Sequence, residues 1–232
     1  MKSLSNIAII QARVGSKRLP NKMLLNLGKY KLIEWVLLRL KKSKKINKII
    51  LAIPSSKENE PLHKIAIKHK IDLFRGEEKN VLSRFLKSVD GIKNANIIRV
   101  CADNPFIDSN HVDLLIKYFL SKNVDFAYNH RPLEQCNYPD GFGAEIFKLD
   151  TLVKISKKNL DKSHREHVTK YFYDNSIDYK IDSLRAKKNL SFPKLKFDID
   201  SINDLNYINN LILSKEILLY DSAEEIIKKT IN

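Results

Sequence analysis

The chain has 232 residues, 43% of them hydrophobic and 30% charged, a composition that excludes disorder and bilayer spanning as main themes and fits one α/β unit around a single core. Its 42 Lys plus Arg against 27 Asp plus Glu give a formal charge of +15, which favours polyanions, acidic membranes or phosphorylated ligands without choosing among them. Two cysteines, Cys101 and Cys136, with no CxxC spacing exclude a disulfide framework and a zinc ribbon; together with an opening apolar run too short for a signal-peptide core they lead to the expectation of a cytoplasmic protein.

In chain order, the run at 7–10 is short, continuous and rich in β-branched residues, as in a strand buried on both faces of a parallel sheet. Leu32, Ile33, Trp35, Val36, Leu37 and Leu40 trace a broad helical face, and a lysine-rich end precedes a second strand-like run at 49–53. The alternation repeats through a helix around 62–68, a strand at 72–74, a helix holding Val81, Leu82, Phe85, Leu86 and Val89, and a strand at 97–101. Asp108 is the expected N-cap of a helix through Val112, Leu115, Ile116 and Phe119, with a strand at 125–128 behind it. Beyond Tyr128 the chain turns irregular, then offers strand-like 144–148, a helix from Asp150, a helix holding Val168, Tyr171 and Phe172, strand-like 179–184, a short strand at 195–199 and two closing helices. The pattern predicts a Rossmann-like three-layer αβα sandwich with a mainly parallel sheet, its core ending near Tyr128. A single domain, 1–232, is expected, with 130–185 as a small inserted lobe for acceptor binding or dimerisation.

Open α/β sheets bind ligands beyond the carboxyl ends of their strands, which singles out three loops. The first, Gln11 to Lys22, packs Arg13, Lys17, Arg18 and Lys22 with Gly15 and Ser16 into twelve positions. Gly15 lets backbone approach a ligand, Ser16 and N–H groups donate, and the cations neutralise a triphosphate. It is neither GxxxxGK[ST] nor GxGxxG, so common ATPases and dehydrogenases are excluded. The second loop places Asp103 just past a hydrophobic strand, where a divalent metal would bridge it to phosphate oxygens; the third ends a run in Asp198 and Asp200, of which only the distal one need reach the metal. Nine of the 42 cations are arginines. In a background that readily supplies lysine, arginine marks places needing a planar fork, which draws attention to Arg13, Arg18, Arg75, Arg84, Arg99 and Arg165. Cys101 reads as packing rather than as a nucleophile. His164 and His167 lack HExxH spacing and read as helix-surface or dimer-contact residues.

Through the motif Ile9-Ile10-Gln11-Ala12-Arg13-Val14-Gly15-Ser16-Lys17-Arg18-Leu19-Pro20-Asn21-Lys22, the sequence resembles the cytidylyltransferases that activate sugars as CMP conjugates, such as the 3-deoxy-manno-octulosonate and N-acylneuraminate enzymes. It looks closest to the spore coat polysaccharide biosynthesis protein F family. The resemblance continues through Arg75-Gly76-Glu77, Val81-Leu82-Ser83-Arg84, Arg99 to Asp108, Tyr138-Pro139-Asp140-Gly141 with Glu145, His164 to Thr169, and Asp198 to Leu205. It implies the nucleotide-diphospho-sugar transferase fold, a homodimer, CTP as substrate and Mg2+ on Asp103 and Asp200. Ala12, Arg13, Gly15, Ser16, Arg18, Lys22, Arg75, Arg84 and Asp103 are then expected at the nucleotide, with Arg13, Arg18 and Lys22 catalytic; Asp140, Glu145, Arg165 and His167 are expected at a sugar or phosphorylated acceptor. The chain departs from the family at Lys79-Asn80, where acids are frequent, and at Ile202-Asn203, where Pro-Glu is usual. The rival readings are a nucleotidyltransferase for another base or a non-sugar phosphorylated acceptor and, from charge alone, a nucleic-acid-binding module. The latter lacks interleaved cations and aromatics on one surface, so neither a nucleic acid nor a membrane is an expected partner.

Overall fold

The computed structural model describes residues 4–129 and 136–232. Strand β1 (Ser5–Gln11) is buried along its whole interior, as its continuous apolar run requires. A small hairpin, β2 (Asn26–Leu27) and β3 (Tyr30–Lys31), leads into α1 (Leu32–Leu40), and the chain returns as β4 (Lys48–Pro54). Helix α2 (Glu60–Lys68), β5 (Asp72–Gly76), α3 (Val81–Lys87) and β6 (Ala95–Cys101) complete the alternation. Then follow α4 (Ser109–Ser121), β7 (Phe126–Tyr128), β8 (Glu145–Lys148), α5 (Leu149–Ser156), α6 (Lys162–Glu166), α7 (Lys170–Asp174), β9 (Ile181–Ser183), α8 (Ile202–Ser214) and α9 (Ala223–Ile231). Asp108 caps α4 as expected, accepting from the Asn110 and His111 N–H groups.

The seven-stranded sheet runs β5-β4-β1-β6-β8-β7-β9. From β1 the chain steps outward through β4 to β5 and then crosses back to β6 on the other side of β1, all in parallel. The loops leaving β1 and β6 therefore diverge at their carboxyl ends and open a crevice between neighbouring strands, which is the topological switch point of a doubly wound sheet. Strand order thus sets the loop after β1 beside the loop after β6.

Two expectations change. The sheet core does not end at Tyr128: β8 inserts between β6 and β7 and pairs antiparallel with both, and β9 adds beyond β7. The range 130–185 thus contributes two strands, β8 and β9, to the main sheet; within that range 130–135 lie outside the described residues. The run 195–199 forms no strand. It makes a single parallel bridge from Lys196 to Asp140, and Ile199 N–H donates to the Asp103 carbonyl at 2.9 Å. Alternating Leu195, Phe197 and Ile199 mimic a half-buried strand, yet this segment only braces the two acidic loops. Gly141 permits the brace: its φ is +105°, and a Cβ there would lie 2.9 Å from the Phe197 Cβ.

Candidate active site

The loop after β1 is held from outside. Val14 N–H donates to the buried Asn59 side chain at 2.9 Å, Ser16 N–H donates to the Val14 carbonyl, and the Ser16 hydroxyl accepts from Leu19 N–H at 3.3 Å. Gly15 packs against Glu58, whose carboxylate would stand 3.3 Å from an added Cβ, so here the glycine serves loop packing. The turn aims Arg18 and Lys22 back over the end of β6. Lys22, 7% exposed, donates its ammonium to Asp103 Oδ2 at 2.9 Å and to the Ile199 carbonyl at 2.7 Å, with Asp200 Oδ1 at 3.5 Å. Arg18 grips Asp200 with both arms of its guanidinium, at 3.0 and 2.9 Å. Residues separated by up to 182 positions thus meet at one point, and the loop, Asp103 and Asp200 belong to a single site.

The crevice encloses about 500 Å³ and is lined by Ala12, Arg13, Ser16, Arg18, Lys22, Arg84, Asp103 and His167 among the expected residues. Arg13 lies 3.8 Å from Glu78. Arg84 is almost fully buried and donates to the Glu77 and Glu78 carbonyls; burial and then the neighbouring Arg13 charge lower its pKa. Arg75 is elsewhere: it binds Glu60 at 2.9 Å beside the Ser55 and Ser56 carbonyls, in an adjoining shallow depression. Arg165 is exposed, donates to the Leu160 carbonyl, and does not line the crevice. Glu145 is buried behind it, accepting from Arg99 at 2.7 Å and from the Tyr173 hydroxyl at 3.0 Å. Gln11, Glu78, Arg99, Cys101 and Glu166 line the crevice although no ligand contact was expected of them. Strand-end position announces Gln11 and Cys101, whereas the others depend on register and helix packing. The Cys101 thiol is pushed up to about 12 by burial and by the acids around it, against the opposing pull of Arg99, which removes it as a nucleophile at neutral pH.

Acidity is concentrated at one end. Burial, then the Asp198 charge, lifts the Asp140 carboxyl to about 6. Asp198 is raised by burial together with Asp103 and Asp200, and its Oδ1 is buried without a hydrogen-bond partner. Repulsion of this kind, an orphaned oxygen, and an ammonium already seated between two carboxylates describe a place suited to a hard cation with oxygen ligands. Beyond it, Ser201 and Asp204 form a capping box that starts α8 at Ile202, so the absent Pro-Glu costs nothing at the helix entry. His164 is fixed between Asp161 and Asp174 on the helix surface.

A phosphate-suited basic loop facing clustered carboxylates across the switch point of an αβα sheet defines a nucleotidyltransferase. The chain belongs to the cytidylyltransferase family, whose profile matches residues 7–227. It is 37% identical over 198 residues to an uncharacterised protein of Methanocaldococcus jannaschii, covering 85% of this chain and 79% of that one. It is 32% identical over 208 residues to the spore coat polysaccharide biosynthesis protein SpsF of Bacillus subtilis, covering 88% and 84%. The solved structure of a cytidylyltransferase from Leptospira borgpetersenii superposes with a TM-score of 0.89 at 26% identity, over 97% of this chain and 93% of the other. Among the described residues no helix is long and apolar enough to cross a membrane.

Proposed function

We propose that the enzyme transfers CMP from CTP to a sugar or sugar-acid acceptor, releasing pyrophosphate, in the synthesis of a surface glycan. The convergence of Arg18 and Lys22 with Asp103 and Asp200 carries this reading, and the family membership and the likeness to SpsF support it. Arg13, Ser16, Arg18 and Lys22 bind the triphosphate, and the cations balance the charge that develops on departing pyrophosphate. An acceptor oxygen attacks the α-phosphorus in line, with no covalent enzyme intermediate, so catalysis rests on positioning and charge stabilisation. Asp103 and Asp200 would hold Mg2+, which supplies Lewis-acid stabilisation of phosphate oxygens when bound. Asp140, Glu145 and His167 serve the acceptor side, Glu145 by acting through Arg99. Arg75 and Arg165 act from outside the crevice, the former by fixing the β4–α2 loop through Glu60 and the Ser55 and Ser56 carbonyls. We also place the protein in the cytoplasm as a homodimer.

The test is pyrophosphate release measured with each of the four nucleoside triphosphates and a panel of sugars and sugar acids. CTP is the expected substrate, and turnover with another base alone would overturn the reading. Asp103→Asn is expected to lower turnover by about 100-fold or more with an unchanged melting temperature; undiminished metal-dependent turnover would remove Asp103 from the mechanism.

A further inference from the structure

A second hollow opens beside the basic loop and shares no residue with the crevice. It is a groove of about 360 Å³ between the start of α1, helix α2 and the turn at Lys22–Leu24. Leu24, Pro61 and Ile65 make its wall apolar, and the ammonium groups of Lys31, Lys64 and Lys68 stand around it against one carboxylate, Glu34. That carboxylate is already spent: Oε1 accepts from Lys68 at 2.8 Å and lies 2.7 Å from the His69 ring nitrogen, and Oε2 accepts from the Lys31 N–H. The Leu24 carbonyl is spent too, on the Lys31 ammonium at 2.9 Å. The ammonium groups are not. Each carries three N–H donors; Lys31 and Lys68 commit one apiece to these contacts, and exposed Lys64 has no partner among the described residues.

The groove therefore offers apolar surface and charged donors and withholds acceptors, which selects its occupant. A sugar or a nucleobase finds no partner there for its own donors. What fits is an apolar body joined to an anionic group made of acceptor oxygens. Three ammonium groups less one carboxylate leave about two positive charges, which a phosphate monoester balances and a carboxylate only halves. The volume is at the small end for a ligand pocket (about 300–1,000 Å³), so the body is a short alkyl chain or a single ring. Position gives the groove a bearing on the nucleotide. The turn that contributes Leu24 also carries Lys22, whose ammonium holds Asp103 and the Ile199 carbonyl. Lys31 ties that turn to the start of α1, and an anion in the groove competes with the Leu24 carbonyl for the same ammonium. We propose that the groove is an effector site for a small apolar phosphate monoester, whose binding loosens the Lys22 turn and weakens CTP affinity. The coupling rests on the CTP reading; the site itself does not.

The probe is octyl phosphate below its micellar concentration, titrated calorimetrically into nucleotide-free protein. Octanoate keeps the tail and halves the charge, 1-octanol removes the charge, and inorganic phosphate removes the tail. Saturable binding of octyl phosphate is expected, at least fivefold tighter than that of octanoate, with no Lys64-dependent binding of the other two. Lys64→Glu, at an exposed position, is expected to weaken it at least tenfold and to leave affinity for a non-hydrolysable CTP analogue within twofold. In wild-type protein, saturating octyl phosphate is expected to lower analogue affinity at least threefold and then to level off, because coupling between two sites is finite. Lys31→Gln is expected to reproduce that loss without the probe and to respond no further to it. Octyl phosphate binding that survives Lys64→Glu, a control that binds as tightly, or an affinity loss that grows without limit, as competition inside the crevice would give, overturns the site. Analogue affinity unmoved by octyl phosphate or by Lys31→Gln overturns the coupling. If wild-type protein fails to bind the CTP analogue, the nucleotide reading falls and the coupling with it, while Lys64-dependent binding of octyl phosphate still decides the groove.

Discussion

Arg18 and Lys22 hold the same two carboxylates that a divalent cation would use. With no nucleotide present, metal binding competes with the paired contact from Arg18 to Asp200 and with the Lys22 ammonium on Asp103. A triphosphate offers both cations better partners and frees the acids, so nucleotide and metal are expected to bind cooperatively. Arg18 is largely exposed, so its pair with Asp200 contributes about 1 kcal/mol at most. Arg18→Gln is therefore expected to tighten Mn2+ binding to the nucleotide-free protein by about fivefold, read from the free-ion signal in electron paramagnetic resonance, even though it weakens triphosphate binding. Unchanged or weaker Mn2+ affinity would show that the arginine does not compete. The residues of this cluster were individually legible: a basic loop after the first strand and acids after two later ones each announce phosphate or metal chemistry. Arg75 shows where residue type stops informing, since its fork is used on Glu60 beyond the crevice, and only β4–β5 register and the packing of α2 decide that.

Among the elements, α1 depends on one carboxylate. Glu34 accepts from the Lys31 N–H at the helix start at 3.0 Å, from the Lys68 ammonium at 2.8 Å and from the His69 ring at 2.7 Å, joining the first turn of α1 to the end of α2. Burial acts to raise its pKa, but these bonds outweigh it and hold the carboxyl at about 2, against an ordinary 4.5. The sign follows directly: a depressed acid contributes stability that is complete above pH 4.5 and is lost as pH falls toward 2. Lys68 is mostly exposed, so a contribution of about 2 kcal/mol is expected. Glu34→Gln should lower the midpoint of denaturant unfolding at pH 7 and flatten the acid limb between pH 4.5 and 2; parallel acid limbs in the two proteins would exclude Glu34 as their source. Helix α1 itself was readable end to end, because its apolar face follows the 3.6-residue period and local capping starts it. The order β6-β8-β7 was not, since antiparallel insertion leaves no mark on the period of any one strand. The false strand at 195–199 fails for the converse reason: its alternation is real, but its backbone pairs with Asp140 and Asp103 rather than with a sheet edge.

At the scale of the molecule the crevice has two walls made by different parts of the chain. One is the basic loop, anchored by Asn59, Asp103 and Asp200. The other reaches Arg99 through Glu145 and Tyr173, and Tyr173 is placed by the aromatic packing of α7 on the sheet. Phe172 stacks on Phe126 at 4.8 Å between ring centroids and meets Phe147 at 5.6 Å and Tyr179 at 5.0 Å, fully buried. Phe172→Ala should cost about 3–5 kcal/mol and lower the melting temperature by several degrees. Because α7 carries Tyr173 over Glu145, the damage to binding should be uneven: acceptor affinity falls while CTP affinity of the folded fraction stays within twofold. Tyr173→Phe separates packing from positioning, since it keeps the ring and removes the hydroxyl that fixes Glu145 Oε1. It is expected to leave the melting temperature nearly unchanged and to weaken acceptor binding severalfold. Equal losses of CTP and acceptor affinity in both variants would show that the crevice responds as one body and that the two walls are not independent.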